Sequence, residues 1–148
     1  MPTLVLLSGP NLNLLGDREP EIYGTTTLAD LVSTATASAA ELGFDLHHTQ
    51  SNVEGVLVDA IHAARANAAA IIINPGAFTH YSYAIADALS AFNGPIVELH
   101  LSNTHRREAW RHRSVVSALA TGVIMGFGAA GYPMAITAAV AMIEENRT

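Results

Sequence analysis

Two short stretches of the chain carry side chains whose types and spacing suit acid–base chemistry. In GDREPEIYG, Gly16 to Gly24, a guanidinium (Arg18) and a phenol (Tyr23) stand five positions apart. Glycines bound the segment, a proline interrupts it and it has no apolar periodicity, so neither regular helix nor strand is expected there. An ordinary phenol has a pKa of about 10, and a neighbouring cation lowers it by ~1–3 units, each worth ~1.4 kcal/mol. Arg18 could thus make Tyr23 a usable base. In VELHLSN, the two-residue period of a strand puts Glu98 and His100 on one face, with Val97 and Leu99 opposite. A carboxylate so placed can fix the histidine tautomer or raise its pKa, which suits a general acid. Taken singly, each pair has a plainer and commoner reading: a solvated arginine with a packing tyrosine on a surface loop, and a polar pair satisfied at a strand end or interface.

The elements that would position these groups follow from the apolar pattern. TLVLLS (3–8) reads as a buried strand, and TLADLVSTATASAAELG as a helix capped by Thr27 and ended by Gly43. That helix has one apolar face of Leu28, Leu31, Val32, Ala35, Ala39 and Leu42. FDLHHTQ is a second strand. SNVEGVLVDAIHAARAN is a second helix, with a capping box from Ser51 to Glu54 and a stripe of Val53, Leu57, Ala60, Ile61 and Ala64. AIIIN, IVELHL and TGVIMGF supply strands three to five. YSYAIADALSAF is the helix before Asn93-Gly94-Pro95, and GYPMAITAAVAMIEEN is the last helix, with Pro133 in its first turn. This alternation predicts an α/β fold of the flavodoxin-like kind: a doubly wound, five-stranded parallel sheet in the order 2-1-3-4-5, forming one domain over residues 1–148.

Open parallel sheets bind ligands beyond the carboxyl ends of their strands. Here those ends read SGPNLN, QSN, NPGAFTH and HLSNTHRRE, the segments richest in Asn, Ser, His and Arg. The connection from Gly9 to Thr26 is longer than the usual 2–6 residues of a βα loop, as a lid over a site would be.

Composition removes several classes of function. Of 148 residues, 50% are hydrophobic and 14% charged, which fits a folded domain with a filled core. The net charge of -6, with no basic cluster beyond HRREAWRHR, argues against nucleic acid and anionic membranes as partners. No apolar run reaches the roughly 20 residues of a membrane span, and the first ten residues lack the basic start of a signal peptide, so a cytoplasmic location is expected. There is no cysteine for thiolate chemistry, and all seven basic residues are arginine, which excludes a Schiff-base lysine and a Walker-type lysine. The histidines show no metal-ligand spacing, no serine lies in a G-x-S-x-G elbow, and SGPNLNLLG is no phosphate loop. A non-catalytic nucleotide- or flavin-binding module would need such a loop. A purely structural assembly protein would leave Arg18, Tyr23, His100 and Arg111 unexplained.

Together GPNLNLLGDREPEIYG, QSNVEG, NPGAFTHYSYAIADAL, VELHLSNTHRREAWRHRS and TGVIMGFGAAGY resemble, in order and spacing, the type II 3-dehydroquinate dehydratases. The resemblance implies dehydration of 3-dehydroquinate to 3-dehydroshikimate in the shikimate pathway. It also implies no metal and no cofactor, and a homo-oligomer that is a dodecamer built from trimers. It assigns Tyr23 as the base at C2, Arg18 as the lid cation stabilising charge beside it, and Asn11 as holding the enolate oxygen through water. His100 becomes the acid for the C1 hydroxyl, with Glu98 as its partner. Asn74, His80 and Arg111 fall on contacts to substrate hydroxyls, and Leu101 and Ser102 on the holders of its carboxylate. Asp87 falls on a residue reaching an adjacent subunit's site, and Arg107 adds to the cationic field. Phe78 stands where tyrosine is common in the family and Trp110 where phenylalanine is.

Overall fold

The computed structural model describes residues 1–147, apart from the side chain of Tyr23. Five strands, β1 (Thr3–Ser8), β2 (Asp45–Gln50), β3 (Ala68–Asn74), β4 (Ile96–His100) and β5 (Gly122–Met125), form one parallel sheet in the order 2-1-3-4-5, as expected. The helices are a single turn α1 (Pro20–Tyr23), then α2 (Leu28–Glu41), α3 (Glu54–Asn67), α4 (Tyr83–Ser90) and α5 (Gly131–Asn146). Short 3-10 turns at Leu12–Leu14, Gly76–His80, Thr104–Arg106 and Ala109–Arg111 shape the loops at the strand ends. No helix among the described residues is long and apolar enough to cross a membrane.

Strand alternation divides the core in two. Leu4 and Leu6 of β1, Ala70 and Ile72 of β3, and Val97 and Leu99 of β4 pack under α2 and α5. Leu7, Ile71, Ile73 and Ile96 pack on the other face under α3 and α4. Glu98 and His100 share the parity of Ile96, so they belong to that second face. The register then levels the strand ends: Ser8 pairs with both Gln50 and Asn74, Ile73 with Glu98, and His100 with Met125.

Several local expectations are corrected. The Gly16–Gly24 segment does hold regular structure, one helical turn that begins at Pro20 because proline's fixed φ suits a first helical position. Thr27 caps α2 in a full capping box with Asp30, but Ser51 and Glu54 do not form one on α3. Val53 is the N-cap residue there, with no side-chain cap. Ser51 Oγ instead accepts the Val53 N–H at 2.9 Å, while the Glu54 carboxylate accepts a hydrogen bond from the Ser82 hydroxyl. Val53 and Leu42, expected on apolar faces, are 60% and 43% exposed because each lies just outside its helix.

Backbone joins β1 to β3 at the ligand edge. Gly9 N–H donates to the Asn74 carbonyl at 2.8 Å, and a Cβ on Gly9 would lie 2.0 Å from the Pro75 oxygen. Gly76 returns the packing, with φ +59 and a Cβ position 3.0 Å from the Pro10 oxygen. Gly9→Ala should therefore force these two loops apart, at about 1–3 kcal/mol for overpacking. A lowered urea midpoint is the expected result; an unchanged one would show that the loops yield freely.

Candidate active site

A cavity of about 180 Å³ opens where the loops after β1, β3 and β4 meet. Its lining includes Asn11, Arg18, Asn74, His80, His100, Leu101, Ser102, Arg107 and Arg111, nine of the twelve residues singled out from sequence. Pro10, Leu12, Leu15, Gly76, Ala77, Thr104 and Trp110 complete the wall. Of the other three, Glu98 lies behind His100, fully buried. Asp87 is not in this cavity; it faces a separate, shallow depression on α4 with Tyr83, Val115 and Leu119. The Tyr23 side chain lies outside the described residues, although its backbone closes α1 within the same loop as Arg18.

The β4 pair meets as strand parity required. His100 Nε2 and Glu98 Oε2 are 2.6 Å apart. Burial alone would push the Glu98 carboxyl up. The hydrogen bond and charge of His100, with the Ser117 and Thr79 hydroxyls, outweigh burial and hold it below the usual glutamate value. A carboxylate only accepts, so Nε2 carries a proton and Nδ1 is the nitrogen left to a ligand.

His80 is fixed the opposite way. Its Nδ1 lies 2.7 Å from the Arg113 carbonyl oxygen, which only accepts, so Nδ1 donates and Nε2 is free to accept. Burial, with smaller contributions from His100 and Arg111, pushes its pKa down against the Arg113 carbonyl, which favours the neutral ring. Trp110 packs edge-on against this ring at 5.3 Å and under the Arg111 guanidinium at 4.0 Å. Asn74 is held by its Oδ1, which accepts the Gly76 N–H at 3.2 Å, and its Nδ2 donates to the Tyr132 hydroxyl at 3.3 Å.

On the β1 side, Asn11 adopts the left-handed conformation, φ 68, that asparagine tolerates better than most residues. The end of β2 pins it there: Asn52 Oδ1 accepts the Asn11 N–H at 2.9 Å and a Gln50 Nε2 proton at 3.2 Å. Gln50 also donates to the Gly9 carbonyl. The lid itself meets the β4 loop through alternating charge. Glu19 lies 3.7 Å from both Arg18 and Arg107, and Glu108 lies 3.9 Å from Arg107 and 2.9 Å from Arg111. Glu19 takes up this bridge from a left-handed backbone, φ 42, which costs a non-glycine residue roughly 1–2 kcal/mol.

Sequence reasoning missed the residues that hold the reactive ones: Thr79, Ser114 and Ser117 around Glu98, Gln50 and Asn52 beneath Asn11, and Glu19 between two arginines. The only available signal was the three-residue spacing of Ser114 and Ser117 after HRREAWRHR, which is also that of an ordinary turn. Among the described residues no group of three or more His, Asp or Glu side chains is arranged to hold a metal ion.

A polar, arginine-rich cavity at the carboxyl edge of a 2-1-3-4-5 sheet can be set beside known proteins. The sequence model of the family described as dehydroquinase class II matches residues 2–140. The 3-dehydroquinate dehydratase of Jannaschia sp. is 54% identical over 141 residues, covering 95% of each chain. The catabolic 3-dehydroquinase of Aspergillus clavatus is 57% identical over 134 residues, covering 90% of this chain and 89% of its own. The crystal structure of type II dehydroquinase from Propionibacterium acnes superposes with a TM-score of 0.91 at 43% identity, covering 95% of this chain and 97% of that one. By sequence and by fold, the chain belongs to the class II dehydroquinases.

Proposed function

We propose that this chain is a hydro-lyase, a 3-dehydroquinate dehydratase, which eliminates water from 3-dehydroquinate in anti fashion through an enolate. The observation that carries the reading is the cavity's pairing of three arginines, Arg18, Arg107 and Arg111, with a histidine backed by a buried carboxylate. The substrate is a polyhydroxylated carboxylate with a ketone. The guanidinium field suits its charge, and the neutral Nε2 of His80 suits a donating hydroxyl.

The reaction needs a base, an enolate stabiliser and an acid. Tyr23 as phenolate takes the C2 proton, and the electron pair moves into the adjacent ketone to form the enolate. Asn11, through a water molecule, holds the enolate oxygen. Collapse of the enolate expels the C1 hydroxyl, which takes a proton from His100 and leaves as water. Leu101 and Ser102 bind the carboxylate; Asn74, His80 and Arg111 bind hydroxyls. Asp87 acts at the site of an adjacent subunit in a dodecamer of four trimers, which accounts for its distance from its own chain's cavity. A cytoplasmic location and a place in the shikimate pathway belong to the same proposal. No step as written uses a metal or an organic cofactor.

Tyr23 is favoured as base by the fate of the other phenols. Tyr81 and Tyr83 are exposed and do not line the cavity. Tyr132 is buried, and burial pushes its phenol up despite the Asn74 hydrogen bond. Without help, about 0.1% of a phenol is ionised at pH 7, and a guanidinium that lowers its pKa by 2–3 units raises that to about 10–50%. Arg18 is the proposed source of that help, with Arg107 adding to the field.

Following the conjugated enone by its absorbance tests the assignment. Tyr23→Phe should abolish turnover while the purified protein still folds and binds the substrate; near-normal turnover would remove Tyr23 as the base. Arg18→Ala should lower kcat by about 10²-fold, within the range of acid–base contributions. An unchanged kcat would mean that the phenol is activated by some other group.

A further inference from the structure

Glu98 is cut off from solvent, so its lone pairs, about four, must be met by protein donors. Oε2 receives Thr79 Oγ1 at 2.7 Å and His100 Nε2 at 2.6 Å. Oε1 receives Ser117 Oγ at 2.5 Å, and Ser114 Oγ lies 3.2 and 3.0 Å from Oε1 and Oε2.

Hydroxyl groups can donate or accept, so distances alone do not set the direction of these bonds. Ser114 does. Its Oγ accepts the backbone N–H groups of Val116 at 3.1 Å and Ser117 at 3.0 Å. Those two bonds use both of its lone pairs. Thr79 Oγ1 lies 2.9 Å from Ser114 Oγ but cannot donate to it. The Thr79 proton is thereby directed to Glu98 Oε2. The Ser114 proton goes either to Glu98 or to the Thr79 oxygen, and in the second case Thr79 still donates its own proton to the carboxylate.

We propose that Ser114 is a positioning residue for the acid half of the reaction: its capped oxygen turns the Thr79 hydroxyl proton onto Glu98, and this helps decide where the proton shared with His100 resides. The proposal rests on the reading of His100 as the acid. When the pair holds two protons, it can exist as carboxylate and imidazolium or as carboxylic acid and neutral imidazole. Both forms carry a proton on Nδ1, but only the imidazolium gives it up readily. Hydroxyls that only donate stabilise the carboxylate, and so keep His100 in the acidic form. The other charged or titratable groups facing the pair are His80 and Arg111, with Arg18 and Arg107 lining the same cavity.

Two variants separate this role from simple support of the turn. Ser114→Ala removes both the cap and a donor, whereas Ser117→Ala keeps its backbone N–H on Ser114 and removes only a donor to Oε1. Carboxyl-carbon NMR of Glu98 should show an ionised carboxylate in the unaltered protein. Each variant should move the Glu98 titration midpoint up by about one unit, as expected for losing a hydrogen bond to a charged group. By the same reasoning kcat should fall about 10-fold with KM within about twofold. A Glu98 midpoint and kcat left in place by folded Ser114→Ala would overturn the proposal; should Ser114→Ala fail to fold, an unmoved Glu98 midpoint in Thr79→Val, which removes the proton that Ser114 directs, would overturn it. The NMR measurements need no turnover, so absence of dehydratase activity would sink the functional reading while the titration still decides the role of Ser114.

Discussion

The burial of one carboxylate at the end of β4 organises this site. Glu98 has no exposed surface, and an ionised group so placed is stable only if protein donors replace the water it has lost. Four side chains do this from three separate parts of the chain. Thr79 follows β3, Ser114 and Ser117 lie in the turn before β5, and His100 sits two residues along the same strand. The need to satisfy Glu98 therefore ties the β3 loop, the β4 end and the turn before β5 into one arrangement. The histidine gains a fixed orientation from the same bonds.

A second constraint is charge. Arg18, Arg107 and Arg111 all line the cavity, and such a concentration of like charge in a small volume would repel itself. Glu19 and Glu108 alternate with the arginines along the rim, so each glutamate lies near two cations. The Gly9–Thr26 loop is thus joined to the β4 loop by a charge ladder at the rim, while its Leu12 and Leu15 lie buried in the same apolar core as Leu101.

Much of this was legible in the chain itself, for different reasons at different places. Strand parity alone put Glu98 and His100 on one face, and the apolar runs alone set five strands and their order, because right-handed crossovers leave few alternatives. The Thr27 cap was read correctly since both of its partners are local. The Ser51–Glu54 box has the same sequence pattern and failed: Glu54 found a better partner in Ser82, 28 residues away. Asp87 was expected to serve an adjacent subunit, and a single chain leaves it away from the cavity.

What the sequence by itself determined are properties carried by nearest neighbours and by absences: alternating elements, polar strand ends, no lysine, no cysteine, and a resemblance that runs the length of the chain. What the tertiary structure decided is how far-apart groups meet. That Gly9 must be glycine because Pro75 crosses it, that His80 presents Nε2 because the Arg113 carbonyl holds Nδ1, and that Thr79 and Ser114 converge on Glu98 from 19 and 16 positions away, all depend on approach in space. Hydrogen-bond direction is set by which partners a group has already satisfied, and that is known only once the chain is folded.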